Sequence, residues 1–195
     1  MQTKYILTDE TKEIQSEDRT VTLHRIRAVK ELRIDNMWGN IPLCIHEGEL
    51  GGWIEKEENL SQTGQAWIED GAMVFDNAKV YEDAVVGLGY ATKVYGNAKV
   101  HGRAVIGGDE TAVYDNADVH GDARIYSGAK IYGDAKVYGK AVVQSYASVH
   151  GSAEVCGNAR VCNAELCDYT RISGKSEIHG NAIAHSRKDI ERDDR

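Results

Sequence analysis

Tyr81, His101, His120 and Tyr138 recur 18 to 20 residues apart, and Lys79, Lys99 and Lys136 each stand two residues before a member of that set. Phenols and imidazoles offer flat stacking faces and hydrogen-bonding edges, and ammonium groups hold anions. The set therefore suits an anion or nucleotide site, with lysines supplying charge and tyrosines supplying stacking. It equally suits a solvated polar face. A second group is Tyr90 in the stretch Gly87–Ala91, with Asp109 and Glu110 in Gly107–Glu110. Loops on a rigid scaffold often carry function, so these three are candidate binding residues too. Cys156, Cys162 and Cys167 lie close enough in sequence to suggest a thiol or metal cluster. Which of these groups meet is decided by the elements beneath them.

Composition limits those elements. The chain has 195 residues with 20 Gly, one Pro, one Phe and 10 Tyr, and Ala and Val dominate beyond residue 60. A helical bundle would want more Leu and fewer Gly. A net charge of −8, spread along the chain, is a poor match for duplex nucleic acid. No apolar run approaches 18 residues and the N-terminus has no signal-peptide pattern, so the expectation is a cytoplasmic chain with reduced thiols and no membrane partner.

From Ala66 onward a six-residue unit repeats: small, any, aliphatic, any, Gly or Asp, polar. Twenty units can be placed. The first position is Ala in 16 of them, and the third is Val or Ile in 18, a regularity that chance does not produce. Each unit reads as a short strand with its third residue inward and its second and fourth outward. Gly, Asp, Asn or Ser at the fifth or sixth position turns the corner. Two extra residues after unit 84, one extra after unit 104 and one missing after unit 159 break the register. These are units 4, 7 and 16, which coincide modulo three, so three units make one triangular coil of 18 residues. Ile54 and Leu60 continue the spacing backward. About seven coils stacked at the strand spacing give a solenoid on the order of 34 Å long.

Stacking then sorts the outward residues into columns. On the first face Trp67, Val85, Val105 and Val142 form an apolar strip, expected to be an interface between copies of the chain. On the second face Phe75, Tyr95, Tyr114, Tyr132, His150, Cys167 and His185 form a ladder, expected to stiffen the solenoid. The third face carries Tyr81, His101, His120 and Tyr138 beside Lys79, Lys99 and Lys136, and His101 and His120 should lie about 5 Å apart. Gly87–Ala91 and Gly107–Glu110 should bulge from neighbouring coils, one above the other. The three late cysteines should leave three different faces, so they can neither share a metal nor pair. Residues 1–50 are expected to form a small β cap over the coils at 51–185, with Tyr5–Leu7 pairing along Val21–Val29. The tail 186–195 is charged and expected to fray.

The A-x-V-x-G-x units resemble those of hexapeptide-repeat, left-handed parallel β-helix proteins. A closer resemblance, carried by residues 21–33 and 48–68 (LHRIRAVKEL and GELGGWIEKEENLSQTGQAWI), is to an uncharacterised family of bacterial and prophage proteins. The resemblance implies an all-β, left-handed parallel β-helix and a homotrimer with ligand clefts between subunits. It also implies, as the alternative function, an acyl-CoA-dependent acyltransferase. Such enzymes need a His base and an enclosing loop, and the largest insertion between units here is two residues. Gamma-class carbonic anhydrases resemble the fold and use a His-x4-His pair for zinc, which this sequence lacks, so no metal or cofactor is expected. The function expected is a non-catalytic trimeric scaffold. It would bind a host protein or a small anionic, nucleotide-like ligand.

Overall fold

A computed structural model describes residues 3–16, 18–38, 41–184 and 189–192. It is nearly all β, a parallel β-solenoid of about seven turns. Twenty short strands, from Trp67–Ile68 to Ile183–Ala184, coincide with the second and third positions of the twenty six-residue units. All but Glu177–His179 and Ile183–Ala184, which end their sheets, pair in parallel register with the strand one coil on, for instance Lys99 with Asp118 and Val100 with Val119. The strands collect into three sheets, one per face. The inward third positions from Ile68 to Ile172 are at most 1% exposed, and the first-position alanines line the inner corners beside them. Each buried Val or Ile contributes about 1.5–3 kcal/mol through removal from water.

The corners explain the Gly, Asp and Asn of the repeat. Gly121 sits at φ +73°, and a Cβ there would lie 2.9 Å from the backbone nitrogen of Gly139 one coil on, so no side chain fits. Where the fifth residue is acidic, its carboxylate does a second job. Asp115 accepts the Gly133 amide at 3.0 Å and Glu82 accepts the Gly102 amide at 2.7 Å, each tying one corner to the next. At the sixth position Asn77, Asn97, Asn116 and Asp134 form a hydrogen-bonded ladder at 3.0–3.2 Å.

The two expected bulges are where the spacing put them. Gly108 donates to the Leu88 carbonyl at 2.6 Å and Glu110 to the Tyr90 carbonyl at 3.2 Å, so one bulge lies on the other. Thr92 and Thr111 replace alanine in the units that follow. Their hydroxyls donate to Gly108 and Gly107 carbonyls at 3.1 and 2.7 Å, satisfying groups that the bulges free from the ladder.

The N-terminal residues form two hairpins. Strand β1 (Tyr5–Ser16) pairs antiparallel with β2 (Arg19–Ala28), and Tyr5 to Leu7 face Ala28 to Ile26. Strands β3 (Leu32–Trp38) and β4 (Ile41–Ile45) form the second hairpin. Strand β5 (Leu50–Ile54) joins both worlds: it runs antiparallel to β2 and parallel to Met73–Val74 of the first full coil. The inner rim at this end is closed by two buried side chains. Tyr5 donates to the Leu60 carbonyl at 2.8 Å and Lys4 to the Ala66 carbonyl at 2.7 Å. Burial lowers the Lys4 pKa to about 8, helped by the nearby Lys30 charge.

Two expectations need correction. Trp67, Val85 and Val105 do not form an exposed strip: they are 1%, 0% and 3% exposed. They are buried within the single chain and belong to the large core cluster that also holds Leu32, Ile34 and Ile45 of the second hairpin. Val142 is half-buried and is separated from the others by the in-register Arg124. The tail also differs. Asp189–Arg192 is a strand on Arg171–Gly174, with Ile190 opposite the inward Ile172 and packed against the core. The single apolar residue of the tail takes an inward slot. No helix among the described residues is long and apolar enough to cross a membrane.

Candidate functional site

The third-face residues converge as a continuous stack. Tyr81, His101, His120 and Tyr138 lie ring on ring, with centroids 4.6, 5.0 and 5.2 Å apart and planes within 19° of parallel. In-register pairing of the short strands before them fixes this spacing, since successive fourth positions point the same way one coil apart. A stack of this kind occupies its own interior faces. A ligand ring cannot enter between members, and only an end of the stack offers a free face.

The two ends differ. Beyond Tyr138 the next residue in the column is the buried Cys156, and the Tyr138 hydroxyl donates to Glu154 at 3.3 Å. Below Tyr81 the column holds Ser61. Its amide donates to the Val80 carbonyl at 2.9 Å, and the neighbouring Leu60 bridges Val80. A serine is too small to cover a phenol ring. The result is an open groove of about 660 Å³, lined by Leu60, Ser61, Gln62, Lys79, Tyr81 and Lys99, with Glu57 and Glu58 on its rim.

Lys79 and Lys99 are directly opposite each other on adjacent strands. Within the coils this is the one in-register pair of like charges among the described residues. Every other charged residue there faces an opposite charge or a neutral residue. Like charges across a parallel ladder repel, so the pair costs stability unless an anion lies between them. Neither lysine has an ion-pair partner among the described residues. Lys136 is different: it lies between Asp118 and Glu154 in register, three coils from Tyr81, roughly 14 Å along the axis. Lys136 thus has an acid on both sides, whereas Lys99 has Asp118 on one side only, and that carboxylate is held by His101.

His101 is also committed. Its Nε2 lies 3.1 Å from Asp118 and its Nδ1 3.6 Å from Glu82. An imidazole with a carboxylate at each nitrogen and a ring on each face is a structural member, poorly placed as a free base. Burial raises the Tyr81 hydroxyl pKa, with Asp118 and Glu82 adding to it, so the groove presents a neutral phenol at ordinary pH.

Of the residues expected at the site, the structure joins Lys79, Tyr81 and Lys99 in the groove. His101, His120 and Tyr138 extend the stack behind them, and Lys136 lies apart. Tyr90, Asp109 and Glu110 form a separate corner between the first and second faces. There Asp109 accepts the Tyr90 amide at 2.9 Å, so it supports the bulge, while the Tyr90 ring is 80% exposed. Sequence reasoning did not assign Ser61, Gln62, Glu57 and Glu58 to the site. The six-residue step from Ile54 to Leu60 carried the signal, because it puts Ser61 at the fourth position under Tyr81. Cys156 and Cys167 follow, and Cys162 ends, strands of three different sheets, and all three are free thiols. No group of three or more His, Cys, Asp or Glu among the described residues could hold a metal ion.

A second concavity of about 640 Å³ lies between β1–β2 and the second face, lined in part by Asp18, Glu55, Asp76 and Asp115. Its Arg19 is spent on Glu55 and Asp76, so it repels anions. Compared with known proteins, the chain matches no family model and shows no significant match to a curated protein.

Proposed function

We propose that this chain is a non-catalytic binding scaffold whose ligand is small, anionic and carries a flat ring, in the manner of a nucleotide. The observation that carries the reading is the open ring face of Tyr81 beside two mutually repelling lysines. A ring stacked on Tyr81 would continue the ladder by one rung, worth about 1–3 kcal/mol. A phosphate between Lys79 and Lys99 would relieve their repulsion. Glu57 and Glu58 would accept from amino groups on the ring and discriminate against ligands lacking them. The acyltransferase reading has less support, since His101 is held by two carboxylates and no insertion encloses the groove.

The groove is open on a single chain. Assembly into a homotrimer, which resemblance to hexapeptide-repeat proteins suggests, would lay a second subunit over it. Resemblance to prophage proteins suggests a phage-derived factor that sequesters such a ligand or engages a host protein. Native mass spectrometry of the purified full chain tests this directly. The expected result is a trimer that carries, or takes up from a panel of nucleoside mono-, di- and triphosphates, a ligand released intact on denaturation. A chain that binds none of the panel, or that turns acetyl-CoA over, overturns the reading.

A further inference from the structure

Far from the groove, near the C-terminal end of the first face, three reactive side chains meet. Cys162 and His179 are in-register partners on adjacent strands, with Gln144 beneath Cys162 in the same column. Their side chains therefore leave the same face of the sheet one coil apart, and Ser145 follows Gln144 at the adjoining corner. On the other side, His179 Nε2 lies 3.3 Å from Glu177 two residues earlier on the same outward face of its strand. The order is thiol, imidazole, carboxylate. The cluster is accessible: Cys162 is partly exposed and the His179 side chain is 58% exposed.

We propose that Cys162 is a thiol-modification site, poised for thiol–disulfide exchange with low-molecular-weight disulfides. Its Sγ, as thiolate, attacks one sulfur of the incoming disulfide. A new S–S bond forms as the old one breaks, and the leaving thiolate departs with the electron pair. The proton given up by Cys162 passes to the His179 imidazole, whose positive charge Glu177 stabilises, and goes on to the leaving thiolate. Electrons and protons balance, and no further oxidant is needed. Ser145 and then His179 lower the Cys162 pKa, and Cys162 and Glu177 raise that of His179, the direction that favours the ion pair. The other coil cysteines lack this setting. Cys156 and Cys167 are 4% and 8% exposed, and burial raises the Cys167 thiol pKa. The neighbouring corner would hold the new adduct in the open, because Asn163 next in sequence is exposed.

The test uses the full chain with glutathione disulfide, read by intact mass and peptide mapping at pH 7. One adduct is expected, at Cys162, forming faster than at the exposed Cys44. His179→Gln should slow it about fivefold or more at pH 7 and move the pH midpoint of iodoacetamide alkylation upward. Glu177→Gln should do the same to a smaller degree. Cys162→Ser should abolish the adduct, and a circular dichroism spectrum matching wild type shows that the variant folds. Modification confined to Cys44, or a Cys162 rate and pH profile indifferent to His179→Gln, would overturn the proposal.

Discussion

The solenoid carries two aromatic ladders of the same construction and opposite fate at their first rung. On the second face Phe75, Tyr95, Tyr114, Tyr132 and His150 stack at 4.7–5.1 Å with planes within 6°. Its first rung is sealed: Phe75 is 3% exposed and clusters with Val21, Leu23 and Trp53 of the N-terminal strands. On the third face the same repeat geometry produces the Tyr81 stack, but among the described residues no strand of the N-terminal hairpins joins that sheet beyond Lys79–Val80. What separates a structural ladder from a candidate binding surface is thus the cover, and not the repeat.

The largest expected effect comes from exchanging the two first rungs. Phe75→Ala should cost about 3 kcal/mol of stability, as truncation of a buried aromatic does, and leave nucleotide binding unchanged. Tyr81→Ala should cost about 1 kcal/mol and abolish binding. Chemical denaturation and calorimetric titration of the same two proteins read both quantities. Next, Lys99→Ala should weaken binding about tenfold and flatten its salt dependence, while Lys136→Ala, flanked by acids, should change affinity less than twofold. A closing substitution, Ser61→Tyr, should extend the open ladder downward, add up to about 1 kcal/mol of stability and block the groove. If it binds as wild type does, the free ring face is irrelevant.

The smallest effect concerns pH. Burial pushes the Tyr114 hydroxyl up to about 12, with Tyr95 and Tyr132 adding to it. The fold therefore holds that proton more tightly than the unfolded chain does. Its contribution is fully present below pH 10 and is lost as pH rises through about 12. Tyr114→Phe should remove that high-pH decline, which denaturation curves between pH 9 and 12 will show.

The coils were legible in the sequence because the six-residue unit is local: each Val or Ile and each corner residue announces its own place. Both ladders followed from the same arithmetic, down to the His101–His120 spacing, as far as His150 and Tyr138; His185 lies outside the described residues. The place of Ile190 was missed: it stands one coil length after Ile172, but the charged residues around it read as a fraying tail. The burial on the first face was not legible either. The N-terminal strands alternate as any half-buried strand would, and nothing in that alternation tells that Trp67 and Val85 are buried within the chain. A surface column read from spacing alone is exposed only until a distant segment folds onto it. The site was half legible for a related reason. Residue type identified rings and lysines, but the self-stacking that fills all interior ring faces, and so leaves only Tyr81 open, depends on ring planes.

The central claim is that Tyr81 is the open face of an otherwise closed pair of stacks. It is tested most directly by fluorine NMR of the full chain labelled with 3-fluorotyrosine and titrated with a nucleoside triphosphate, each signal assigned by Tyr→Phe substitution. The account predicts that the Tyr81 signal shifts with added nucleotide while those of Tyr114 and Tyr132, inside the sealed ladder, stay still. Shifts at Tyr114 and Tyr132 with Tyr81 unmoved, or no shift at any tyrosine, would contradict it.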